Sequence, residues 1–183
     1  SIVALTTDQM PALTTAQLKS LTATQIVKIE TADLNALTTD QIVGIELSDL
    51  ALLSTAQIQG LTAAGPLTGL TTAQVAALTA TQVASLSTVQ VAALTTTQIS
   101  AIELQDLSQM GTGQIAALTS DQLSHLTAYQ VQALTTAQIQ ALATAEFGGL
   151  TSSFIQAMEL NDVKALTTDQ IVALDSSHIS ALL

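Results

Sequence analysis

Large aliphatic residues recur along this chain in pairs five positions apart, and the pairs themselves repeat every eight residues. The consensus is Leu-Thr-Thr-Ala-Gln-Ile-Xaa-Ala, seen undisturbed at Leu134–Ala141. Position one falls at residues 5, 13, 21, 29, 37, 45, 53 and 61. A nine-residue unit then intervenes, and the rhythm resumes at 70 and runs in eights to 174, about 22 units in all. A short fixed period implies a quasi-one-dimensional array. The expectation is one repeat array over 1–183 in which each unit packs mainly on its neighbours.

Within a unit the signals are those of a helix start. In Leu37–Gly44, Thr38 followed three residues later by Gln41 is a capping-box pattern, and Leu37 with Ile42 forms the accompanying hydrophobic staple. Asp40 lies in the first turn, where a negative charge meets the positive end of the helix dipole. Gln holds position five in most units, from Gln9 to Gln170, which points to a structural role. A β-solenoid is disfavoured, because positions one and six have opposite parity and would face opposite sides of a strand. One continuous helix is disfavoured too. Eight residues turn through roughly 800°, so an apolar stripe would precess by about 80° per unit. The pattern predicts an all-α solenoid or superhelix of very short helices, about five to seven residues each, one per octapeptide. Helices this short lie below the roughly 12–15 residues at which isolated helices persist, so packing between units must hold them. Small residues at position eight, such as Ala36, Gly44 and Ala77, would allow close approach.

Composition restricts the function. The chain is 48% hydrophobic but 2% aromatic, so its core is aliphatic. Its net charge is −11, Arg is absent, and the cations are Lys19, Lys28 and Lys164. No basic patch for nucleic acid can be built from these, and anionic membrane surfaces are disfavoured. Without Cys there are no disulfides or thiolate metal sites. No apolar run suggests membrane insertion. No phosphate loop, nucleophile elbow or Ser/His/Asp set is present, so an enzyme is not expected and no catalytic or cofactor-binding residue is assigned.

Several units depart from the consensus. Leu61–Gly69 carries Gly65-Pro66, with Pro66 reading at the core Ile position; this is either an insertion in a loop or a kink. Pro11 is late in its unit and reads as ending that helix. Four units carry acids at positions two and five: Glu30/Asp33, Glu46/Asp49, Glu103/Asp106 and Glu159/Asp162. The last three are spaced by seven units, a superperiod of 56 residues that the Glu30 unit breaks. Glu46, Asp49, Glu103, Asp106, Glu159 and Asp162 are weak candidates for a cation, calcium in particular. A calcium ion needs six to eight oxygens, and each unit offers two carboxylates. The competing reading is a solvated acidic face in which Asp replaces the capping Gln. His125 and His178 lack ligand-spaced partners. Tyr129, Phe147 and Phe154 cluster towards the C-terminal end, as an aromatic patch or, for Phe147 at an Ile position, as core.

The LTTAQI and LTTDQI runs, over most of the chain, resemble the Thr/Gln-rich tandem repeats of large secreted or surface proteins of Gram-negative bacteria, of the adhesin and haemagglutinin-like exoprotein kind. The resemblance implies an extracellular spacer or adhesive stalk. The alternative is a solenoid scaffold that binds a peptide, protein or glycan. Ser1–Ala4 reads as the back half of a unit, and the sequence stops at Leu182-Leu183 where another would begin, without polar caps. A fragment of a longer array is therefore expected.

Overall fold

The computed structural model describes residues 2–182; Ser1 and Leu183, at the two ends, lie outside the described residues. These residues form twenty-one α-helices of four to six residues, from Thr15–Lys19 to Ser176–Ala181, preceded by two 3₁₀ turns, Ile2–Ala4 and Met10–Ala12. The all-α solenoid of one short helix per repeat is the observed architecture. The first octapeptide departs from it. Its Pro11 has no amide to donate, so Met10–Ala12 closes as a 3₁₀ turn where an α-helix was expected.

Each regular unit begins as its sequence demands. Thr79 is extended (φ −76°, ψ 157°), and its hydroxyl accepts from the Gln82 amide. The helix Ala80–Ser85 follows, and Leu86 returns to an extended conformation (φ −58°, ψ 136°). The Ser87 cap of the next helix is extended as well. Two consecutive extended residues thus turn the chain between helices. This happens without left-handed backbone, since no residue among those described has positive φ.

The expectation that sequence neighbours stack on one another is corrected. Substantial helix–helix packing joins each helix to the third one along, as in Thr39–Ile42 against Pro66–Gly69. The reason is geometric. A helix of four to six residues is too short to fold back on the next one, so the chain coils, and helices meet when a turn is complete. Hydrogen bonds between turns join residues 25 to 32 apart. Their recurrent 28-residue offset is three and a half octapeptides per turn. Positions one and six point inward through most of the array, although Ile171 and Ile179 near its end are exposed, and they make one continuous, mainly aliphatic core from Ile2 to Leu174 that also takes in Phe147 and Phe154. The close approach at position eight is real, but it too is made between turns. A Cβ on Gly44 would sit 2.8 Å from the Thr15 carbonyl oxygen, and one on Gly69 would press directly on that of Thr39.

The nine-residue unit keeps this register. Gly65 is the N-cap and Pro66 the first helical residue, where a missing amide costs nothing. Leu67, not Pro66, takes the core Ile place and is fully buried. Gln98 donates to the Leu67 and Leu70 carbonyls as its counterparts do in regular turns.

Candidate functional site

The most repeated chemical feature is the position-five glutamine. Gln74 is buried. Its Oε1 accepts the Thr71 amide at 3.0 Å, capping its own helix. Its Nε2 donates to the carbonyl oxygens of Ile42 and Ile45, both at 2.9 Å, on the turn beneath. One side chain therefore serves orphan amides at the start of one helix and orphan carbonyls at the end of another. The same arrangement recurs at Gln82, Gln90, Gln114, Gln122 and Gln138, making a polar ladder along the solenoid. The capping half was readable from the Thr-x-x-Gln spacing. The donor half was not, although a signal existed. A capping box accepts Glu as readily as Gln, so the choice of Gln over Glu in every unit that carries either, except that of Glu146, implied that the amide nitrogen was needed.

His178 fills the same place in its unit. The Asp175 amide donates to its Nδ1 at 3.1 Å, and its Nε2 lies 2.6 Å from the Leu150 carbonyl oxygen, 28 residues earlier. The carbonyl can only accept, so the ring proton sits on Nε2. His178 is thus a surrogate ladder glutamine; its position in the octapeptide was the clue. His125 is exposed, with Nδ1 2.8 Å from the Asp121 carbonyl oxygen.

The acidic units are built differently from the expectation. Glu30, Glu46, Glu103 and Glu159 are extended N-caps whose side chains make no capping bond. Asp33, Asp49, Asp106 and Asp162 are buried, so the pairs do not form a fully solvated face. Nor does Asp replace the capping Gln. Its side chain is one methylene shorter, and it turns to the neighbouring turn instead. Asp33 accepts from the Thr7 hydroxyl at 2.8 Å, and Asp162 from that of Thr136 at 2.7 Å. The matching places beneath Asp49 and Asp106 are Ala23 and Ala80, which offer no hydroxyl. Burial, and then the neighbouring Glu103 charge, raise the Asp106 pKa above its ordinary value.

Seven octapeptides at three and a half per turn close two turns. Glu46, Glu103 and Glu159 therefore lie on one stripe, separated by two layers of helices. At 8–10 Å per layer, their carboxylates cannot share one ion. Among the described residues no three His, Cys, Asp or Glu side chains gather as a metal site would require. The aromatic residues do not form a patch: Phe147 and Phe154 are core, and Tyr129 stands alone on the surface.

Shallow cavities accompany the acidic stripe. One of about 520 Å³ is edged by Val43, Glu46, Leu47, Thr71 and Lys19. Another of about 500 Å³ is edged by Glu103, Leu104, Thr127 and Tyr129. A smaller one of about 240 Å³ lies beside Met158, Leu160 and Leu182. These leucines occupy position three, where most units carry Thr or Ala, and are 46%, 45% and 68% exposed. Sequence reading passed over them because a single exposed Leu is ordinary. Their common seven-unit spacing was the signal.

The fold and its ladder define a class, the tandem-repeat α-solenoids built from very short helices. The chain matches the ALTTAQ repeat family over residues 26–63, 67–101 and 99–136, more than half of its length, and belongs to that family. No curated protein matches it.

Proposed function

We propose that this segment is a non-enzymatic structural spacer: an extended rod that carries other parts of a large secreted or surface-attached bacterial protein away from the cell, as the exoproteins its motif resembles would require. The observation that carries the reading is the Gln ladder. Each rung depends only on units three and four steps away, so rod length follows unit number without redesign of a core. A charge of −11 adds repulsion between parallel rods. No helix among the described residues is long and apolar enough to cross a membrane, so attachment would come from elsewhere in such a protein.

The test is to separate number from identity in the full-length protein. Under this reading, exchanging the four units at 70–101 for four others of the same array leaves function intact. Removing seven units shortens the particle in proportion, read as its maximum dimension in small-angle scattering. If function follows particular residues and ignores unit number, the spacer reading fails.

A further inference from the structure

The acidic units are not all alike. The full pattern, an aliphatic residue followed by Glu-Leu-Xaa-Asp and a second aliphatic residue, occurs at Ile45–Leu50, Ile102–Leu107 and Met158–Val163. The off-register unit at Ile29–Leu34 has Thr31 in place of the exposed leucine. The 56-residue superperiod is therefore a property of Glu and Leu together, and it coincides with two turns of the solenoid. Folding gives no reason for this leucine. Position three lies at the outer rim between turns, where Thr7 and Thr136 donate across to the next turn; Thr or Ala fills it in most units, a leucine there donates nothing, and half-exposed it removes little apolar surface from water. Each of the three leucines edges a cavity, and the first two cavities also contain the adjoining Glu.

We infer that the three Glu-Leu units form a row of docking notches, two turns apart, for a basic polypeptide that presents an aliphatic side chain beside a Lys or Arg and lies along the rod. Charge decides between occupants. A second copy of this chain could not serve, because its only cations, Lys19, Lys28 and Lys164, do not recur at seven-unit spacing. Lys19 edges the first notch and Glu159 does not line the third, so the second, with Glu103 and no cation in its walls, is the strongest for a cationic partner. Three weak sites at fixed spacing act together through effective concentration.

A synthetic peptide of repeated Lys-Leu-Ala-Lys is the probe, titrated by calorimetry against the whole chain. The triple variant Leu47→Thr/Leu104→Thr/Leu160→Thr installs the commonest residue at position three and leaves the charge unchanged. It should keep its helical circular dichroism and bind at least about tenfold more weakly. Glu46→Gln/Glu103→Gln/Glu159→Gln should also weaken binding. Asp8→Asn/Asp40→Asn/Asp169→Asn, with the same charge change at exposed sites elsewhere, should bind much as the native chain does. Absence of binding to the native chain, equal binding by the leucine variant, or equal losses in the two charge variants would overturn the inference. So would self-association of the native chain in sedimentation that the leucine variant abolishes, since the stripe would then belong to a second copy.

Discussion

A glutamine that caps one helix with its oxygen and ties down another with its nitrogen cannot be exchanged for its acid. Gln122→Glu keeps the acceptor for the Thr119 amide but loses the donors to the carbonyls of Val91 and Leu94, at 2.9 and 2.7 Å. It also sets a buried carboxylate against two carbonyl dipoles. Urea unfolding at neutral pH should show a loss of about 3 kcal/mol, against about 2 kcal/mol for Gln122→Ala. Equal stability of native and Glu forms would mean that capping alone matters. The converse change is expected to help at Asp106. Residues 31 and 28 before it are Val75 and Leu78, the carbonyls a ladder glutamine there would reach. Asp106→Gln should therefore stabilise the array by about 1 kcal/mol at neutral pH. The raised pKa of Asp106 fixes the sign of the pH effect. Its protonated form is the one the fold prefers, so its contribution is most favourable below the ordinary value of 3.8 and declines as pH rises through the raised value. The difference between native and Asp106→Gln stability should grow across that window and then level off. Asp175 has the opposite sign, because the Ser177 hydroxyl and then the His178 amide hold its carboxyl below the usual range. It is unchanged by the substitution and cancels in the difference.

At the scale of one helix, most of the structure was legible. Thr38 and Gln41, Leu37 and Ile42 spell out a start and a staple within eight residues, and the helix Thr39–Ile42 begins where they place it. What could not be read was which helix meets which. That depends on the angle turned at each Leu-Thr junction, and small angular differences decide whether a rod closes its turn after three units or five. Pro66 shows the same limit: Gly65-Pro66 reads locally as a loop or a kink, yet the helix starts at Pro66 and the inserted residue moves the core place to Leu67, keeping the register between turns. Two glycines separate local from turn-to-turn demands. Gly111 is an N-cap at φ −67° that supplies only its amide to the Gln114 oxygen, at 2.7 Å, and an added Cβ would meet nothing closer than 3.7 Å. Gly111→Thr should raise stability by about 0.5–1 kcal/mol, from a restored hydroxyl cap and a stiffer unfolded chain. Gly69→Ala should lower it by about 1–3 kcal/mol, because the new carbon would press on Thr39 backbone that no rotamer can move. Thermal unfolding of the two variants beside the native chain checks both signs.

For the molecule as a whole, the reach of each rung sets a minimum size. Gln122 finds its acceptors 31 and 28 residues back, so a piece of four whole units or fewer contains helix starts but no complete rung. Residues 70–101 illustrate this. The acceptors of Gln82 and Gln90 lie at 50, 53, 58 and 61, outside the piece, and Gln98 keeps only Leu70 of its two partners. Residues 70–133 contain the full rungs of Gln114, Gln122 and Gln130, together with the aliphatic core between those turns. Helices of this length do not persist alone, so the four-unit piece should show a coil-like circular dichroism spectrum. The eight-unit piece should be helical and melt below the complete chain, with each further unit adding a similar increment, as in other linear arrays. If residues 70–101 fold by themselves, the helices draw their stability from within the octapeptide, and the ladder between turns is a consequence of the coil instead of its cause.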